Sequence, residues 1–406
     1  MATIIEQKPL YTQLPVGQEV IFVISNNTIV ASQLHVRFLA DVYISDTTPT
    51  AISTSSIPTA TFKTTPNNAG VGIFDFSQVV ENYVSADNMA ANQSKYKTTL
   101  TTDDTPHPLH LINQYSRNKK AARWLNIEFK TQYTDANGDV QIVSPKPSVD
   151  YRLFNGYLKY TDELSIFNND FGFDLGNFDL SSQTDRFLTN APATQYANLE
   201  DYGTLALLPS LATNSDLAHI TLKYINSSNV QIGTEDVDKD LANGAYANIG
   251  SEISHRILYF GCFPANLQNW STTFNALVSP VDQMSGGSIV VQAFSNSGAI
   301  SKGYTININC PNLKGYESIR LCWLNQWGAW DYYTFTQKSI RSISTKGSTY
   351  EQLAGTWNEA AYRVDSYKGG KKSFRVNATE KITMNTDFVS ESENDMFEEL
   401  INSPEV

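Results

Sequence analysis

A chain of 406 residues can hold two or three domains with ordinary hydrophobic cores. Its 29 basic and 41 acidic residues leave a formal charge of −12, which speaks against a dominant nucleic-acid surface, since Lys119-Lys120 and Lys371-Lys372 are too short to cluster cations on phosphates. Only 17% of the residues are charged while Tyr (21) and Phe (20) are plentiful, a composition of strands and polar turns, and no apolar run nears the ~20 residues that cross a bilayer.

From Met1 to Pro9 no basic segment precedes an apolar one, so no signal peptide is expected. The three cysteines, Cys262, Cys310 and Cys322, make neither a disulfide framework nor a paired metal motif and suit a reducing cytoplasm. Glu19–Ile24 is an apolar run of strand length, and Leu34–Ile44 a longer strand that alternates over its first half. Residues 46–70 read as a loose hairpin centred on Ala60–Thr64. Asp75–Val84 reads as a helix: Asp75 and Gln78 have capping-box spacing, and Phe76, Val79, Val80, Tyr83 and Val84 form one stripe. Residues 85–106 are polar and read as a surface loop.

Arg123–Tyr133, Asp135–Gly138 and Val140–Ile142 predict a hairpin with an Asn-Gly turn, and His219–Ile225, Asn226–Asn229 and Val230–Ile232 predict another. Ser144–Ser148, with two prolines, is the expected domain boundary. Tyr151–Phe154, Asn155-Gly156 and Tyr157–Tyr160 predict a tight hairpin. Strands are expected near 204–208, 219–225, 230–232, 255–260, 288–294 and 303–309, spaced as in a sandwich.

Three of the six tryptophans fall in Ser318–Phe335. Ile319, Leu321 and Trp323 alternate with Arg320 and Cys322, Asn325–Gly328 supplies a turn, and Tyr333 and Phe335 share a face of the returning strand. Trp323, Trp327, Trp330, Tyr332 and Tyr333 are therefore the aromatic centre of a β-domain or, alternatively, a platform that stacks on sugars or docks a partner. Residues 337–372 are polar and expected to add one or two strands, with Gly369–Ser373 as a basic turn. At the end, Ser390 and Glu393 form a capping box for an amphipathic helix whose apolar edge is Met396, Phe397, Leu400 and Ile401, stopped by Pro404. That edge either packs back or contacts a neighbouring subunit, and residues 1–15 are a second candidate contact.

Signatures of catalysis are missing: the sequence has no HExxH, no Gly-x-Ser-x-Gly, no phosphate loop and no GxGxxG. His107-Pro-Leu-His110 lacks the geometry of a metal pair, and Asp135–Asp139 starts like a calcium loop but has Lys146 where the bidentate Glu is needed. Carboxylate pairs such as Asp162 and Glu163 are accounted for as solvated turn residues. The expectation is a protein that is not an enzyme and binds no metal or cofactor.

Arg320–Phe335 also resembles a strand-turn-strand signature of uncharacterised virion structural proteins of tailed bacteriophages and related prophages, including phages of Bacteroidetes and marine bacteria. Phe38–Ile44, Gly72–Val84, Phe187–Pro192 and Phe397–Val406 look similar and follow in order. The resemblance implies a tail or baseplate component, built from β-domains and assembled into a ring or other symmetric oligomer; the expectation is a tail, baseplate or neck subunit of the virion, made in the host cytoplasm. Its partners would be copies of itself and neighbouring virion proteins, without nucleic acid or membrane insertion. The alternative is a carbohydrate- or receptor-binding fibre that uses surface tryptophans on a host glycan. The expected fold is mainly β: two antiparallel β-sandwich-like domains with a few short helices. They would comprise an N-terminal β-domain (1–146) with one helix (75–84), a C-terminal β-domain (147–386) and a terminal docking segment (387–406).

Overall fold

The structure, a computed structural model, describes residues 2–9, 13–45, 57–84, 109–117, 121–157, 179–180, 183–184, 186–209, 217–238, 257–279, 281–309, 315–352, 355–356, 359–364 and 370–406. It is mainly β with a few short helices, one of them terminal. The chain forms two compact units, one comprising Met1–Pro311, Leu321–Tyr333 and Ser390–Val406, the other Asn312–Arg320 and Thr334–Val389.

The first unit contains two large cores, each between sheets, and a small cluster of Ala191, Trp323 and Met396. In the N-terminal one, Ile21–Ser25 lies between Ile4–Gln7 and Val71–Asp75. A larger sheet runs in the order Gln13–Pro15, Tyr151–Phe154, Ala122–Thr134, Leu34–Ser45, Ala60–Thr64. Rings tie the two sheets together: Phe22 meets Phe129 at 5.4 Å and Tyr151 at 5.6 Å, and Phe74 meets Phe129 at 6.0 Å. Large apolar rings at alternate positions cover one face of each sheet, which is the packing the sequence alternation dictates.

The second core lies between the sheet Asp179–Leu180, Thr204–Pro209, Leu258–Gly261, Tyr115–Arg117 and the sheet Thr194–Ala197, Tyr304–Ile308, Ser288–Ser295, His219–Ile225, Gln231–Asp238. Tyr115 crosses between them, its hydroxyl donating to the Val237 carbonyl at 2.6 Å and accepting from Ile220 N at 3.1 Å. Most pairings are antiparallel, but Gln13–Pro15, Asp179–Leu180 and Thr194–Ala197 pair in parallel.

Several local expectations change. The Asp75 helix is only Ser77–Glu81, because Val71–Asp75 is drawn into the sheet beside Ile21–Ser25. Asp75 Oδ1 accepts from Ser77 N (2.9 Å) and Val20 N (3.2 Å), so it ties the helix start to the sheet, and Tyr83 from the expected stripe is exposed. Ser144–Ser148 is extended as expected but is not a free linker: Lys146–Pro147 pairs with Glu128 and Phe129. Tyr151–Phe154 then joins the same sheet, so the N-terminal sheet runs on past residue 146. Tyr157 does not return along that strand; its N–H donates to the Gln326 carbonyl at 3.2 Å. The expected 85–106 loop and residues 158–160 lie outside the described residues. Pro264–Trp270 and Thr272–Val278 are helices that the strand spacing did not foretell.

The second unit holds a ribbon of Ile340–Gln352 and Gly370–Thr383, antiparallel along its whole length. Gly370–Ser373 is therefore the start of a strand, not a basic turn.

Candidate functional site

The aromatic hairpin forms as its residues predict, with strands Ile319–Leu324 and Trp330–Phe335. Asn325 builds the turn: its Oδ1 accepts from Trp327 N and Ala329 N, both at 3.0 Å, and its Nδ2 donates to the Leu188 carbonyl at 2.9 Å. Gly328 has φ +75°, and a Cβ there would stand 2.6 Å from the Asn155 carbonyl oxygen, so the position demands glycine.

Phe187–Pro192, the turn and the terminal helix, far apart in sequence, meet here. Asn190 Nδ2 donates to Gln326 Oε1 (3.0 Å) and Glu399 Oε1 (2.7 Å), and Asn190 Oδ1 accepts from Trp327 Nε1 (2.9 Å). Gln326 N also donates to Glu399 Oε1 at 3.3 Å, and Leu324 N to the Glu405 carbonyl at 3.0 Å. Thr189 Oγ1 donates to Asp331, and Ala191 N donates to Thr189 Oγ1 at 3.0 Å. Burial pushes the Asp331 carboxyl up to about 6, against the opposing pull of hydrogen bonds from Thr189 and Asn325. Buried polar groups with fixed partners define one geometry at low local dielectric, so this constellation works as a clamp.

The tryptophans of the hairpin face inward. Trp323, Trp327 and Trp330 are 0%, 4% and 4% exposed and Tyr332 is 5%. Only Tyr333 is half-buried, its ring 4.8 Å from Phe397. As placed, none of the three tryptophans offers a face to a sugar, which corrects the surface-platform alternative: ring burial outcompetes display. The terminal helix is correspondingly packed back. Its capping box forms at Ser390 and Glu393, and Met396 (1% exposed), Phe397 and Leu400 pack with Ala191, Leu321, Trp323 and Tyr333. Of the four expected contact residues, Ile401 alone is exposed, at 83%. The described part of the N-terminal arm is likewise paired within the fold, through Ile4–Gln7 and Gln13–Pro15.

Around the clamp the remaining chemistry is modest. His110 Nδ1 is 2.9 Å from the Tyr332 hydroxyl and its Nε2 is 3.7 Å from Cys322 Sγ, while His107 lies outside the described residues. Among the described residues no group of three or more His, Cys, Asp or Glu is placed to hold a metal ion. Asp135 caps its hairpin, accepting from Asp139 N (2.9 Å), Gln141 Nε2 (3.0 Å) and Asn137 N (3.0 Å), bonds that hold its carboxyl below the usual value. A cleft of about 320 Å³ opens beside Asn190 between Arg186, Lys302, Tyr304 and Asp395. Among the described residues no helix is long and apolar enough to cross a membrane.

The ribbon of the second unit has the opposite character. Every residue but Gln352 is exposed, including Ile343 (68%), Phe374 (77%) and Val376 (59%). Its register is Ile340 with Thr383, Lys346 with Asn377 and Tyr350 with Lys372, interrupted where Phe374 is skipped between Ser348 and Thr349. Paired residues share a face and faces alternate along a strand. One face therefore gathers Lys346, Lys372, Arg375 and Lys381 without an acid. The other carries Ile343, Val376 and Ile382, with Arg341 and Lys371 balanced by Glu351 and Glu380. Arg341 bonds Glu317 at 2.8 Å and lies 3.6 Å from Glu380.

In comparison with known proteins, no family model and no curated protein matches the chain.

Sequence reasoning missed Thr189, Asn190, Asp331 and Glu399 as a group, since only folding brings them together. It also missed the ribbon's two-faced character, which depends on the register between the two strands, since three of the four cations of one face lie in Gly370–Thr383 and the fourth in Ile340–Gln352.

Proposed function

We propose that this chain is a structural subunit of a tailed-bacteriophage particle, in the tail, baseplate or neck, that works by assembling with copies of itself and neighbouring virion proteins rather than by catalysis. The observation that carries this reading is the ribbon. Ordering a backbone costs about 1–2 kcal/mol per residue, and an isolated two-stranded ribbon is marginal in water because too little apolar surface is buried to offset that cost. Exposed Ile343, Tyr350, Phe374, Val376 and Ile382 gain once another surface covers them. Such a ribbon, in a chain whose other unit has cores of its own, is suited to assembly. The resemblance of Arg320–Phe335 to phage virion proteins narrows the kind of assembly, and the segments similar to that family at 187–192 and 397–406 are the ones that clamp this hairpin.

The test is the native mass of the purified protein with negative-stain images of the same peak. A ring or other closed oligomer of 45.1 kDa subunits is expected. Replacing Ile340–Thr383 by a short Gly/Ser linker should abolish it without lowering the melting temperature of the rest. A wild-type monomer at every concentration would overturn the reading.

A further inference from the structure

The two units differ in charge. Asn312–Arg320 and Thr334–Val389 hold eleven Lys and Arg against six Asp and Glu, a formal +5; on a chain of −12 this leaves −17 for the first unit. Within the second unit the ribbon itself carries six cations and two acids, a formal +4. Its four-cation face extends from the Ser342–Lys381 pair to the Tyr350–Lys372 pair, eight residues or about 26 Å at the usual rise per residue. Lys346, Lys372, Arg375 and Lys381 appear in no ion pair of the described residues, so this row is not neutralised by described acids of its own chain.

We propose that the face bearing Lys346, Lys372, Arg375 and Lys381 seats on the acidic first unit of a second copy of this chain. The inference rests on the assembly reading above and names its contact. Charge complementarity selects the occupant: the surface that travels with every ribbon, at equal concentration, is a body of −17. A ribbon-to-body contact is heterologous, each copy giving one surface and receiving another, so it generates a ring where the rotation closes and a filament where it does not. Because the cations are solvated lysines and one arginine, the contact weakens with salt as the screening length falls from about 10 Å at 0.1 M to about 3 Å at 1 M.

The test uses the full chain in wild-type form and with Lys346→Glu, Lys372→Glu, Arg375→Glu and Lys381→Glu combined. Self-association is followed by sedimentation at 0.05 M and 1 M salt, and mixed ¹⁴N/¹⁵N protein is cross-linked with a zero-length carbodiimide. The expected result is salt-sensitive wild-type assembly, weakened at least ~100-fold by charge reversal, with heavy–light cross-links from the ribbon lysines to acids of the first unit. Undiminished assembly of a folded reversed variant, without such cross-links, overturns this contact and leaves the assembly reading standing. Absence of wild-type assembly at every salt removes the assembly reading itself. Assembly only on added DNA or RNA, lost on reversal, overturns the second-copy occupant in favour of a polyanion. If the reversed variant does not fold, the same positions changed to Gln, together with the wild-type cross-link map, decide between these outcomes.

Discussion

The Asn190 side-chain amide donates to Glu399 Oε1 at 2.7 Å across 209 positions of chain. Glu399 also accepts from Gln326 N, so one carboxylate oxygen holds the terminal helix against both the 187–192 segment and the hairpin turn. Glu399→Ala leaves two donors without that acceptor and should cost about 1–3 kcal/mol. Glu399→Gln retains an oxygen and should cost less. Thermal melts of the two variants check the order, and equal losses would deny the acceptor role.

Met396 is 1% exposed beneath the same helix. Met396→Ala should destabilise by roughly 2–5 kcal/mol through lost burial and a residual cavity. Truncation after residue 387 should therefore lower the melting temperature of the first unit, whereas exposed Ile401 should tolerate Ser with little change. A truncated protein that melts like the wild type would mean that the helix is only docked loosely.

Trp327 is buried and donates its indole N–H to Asn190. Trp327→Ala should cost about 3–5 kcal/mol in chemical denaturation. If glycan binding by the wild type vanished in this variant while stability stayed unchanged, the ring would be a recognition surface after all.

Asp331 titrates near 6 in the folded protein because its carboxyl is buried, against an ordinary value of 3.8. A raised folded value means that its contribution to stability is fully present below about pH 3.8 and fades as pH rises through 6. The stability of Asp331→Asn relative to wild type should then rise between pH 4 and pH 7, by up to about 3 kcal/mol for a two-unit shift. Denaturation at those two pH values reads the change, and a constant difference would exclude the titration.

Gly328 allows one further test. Gly328→Ala meets both the positive φ and the Asn155 carbonyl, and should cost about 1–3 kcal/mol in a melt.

What could be read from the sequence was local. Ala60–Thr64 and the hairpin from Arg123 to Ile142 obey period-2 alternation and turn chemistry, both complete within one short stretch of chain. The aromatic hairpin shares that property in its turn, where Asn325 Oδ1 accepts from groups two and four residues away. The helix at Asp75 was overestimated at both ends: Asp75 itself belongs to the strand, paired with Ile21, and the helix is already capped at Asn82, so Tyr83 and Val84 lie beyond it. Pro264–Trp270 and Thr272–Val278 did carry cues, a proline at the first position of one and Ser271 as cap of the other, but each is too short to stand without packing. Their support is tertiary: Asn266 Nδ2 donates to the His110 and Ile112 carbonyls, both at 2.8 Å. The clamp was not legible because Thr189 and Asp331 stand 142 positions apart.

Phe374, skipped between Ser348 and Thr349, gives the ribbon a fixed zero point. A polar two-stranded ladder can slide, and a slip of one residue would turn every side chain on the moving strand to the opposite face. With an extra residue on one strand only, a slipped ladder would have to carry its kink past new partners, so the aligned state is singled out. Lys372, Arg375 and Lys381 thus stay in step with Lys346, and a row of charges that no core holds in place keeps its spacing from one molecule to the next.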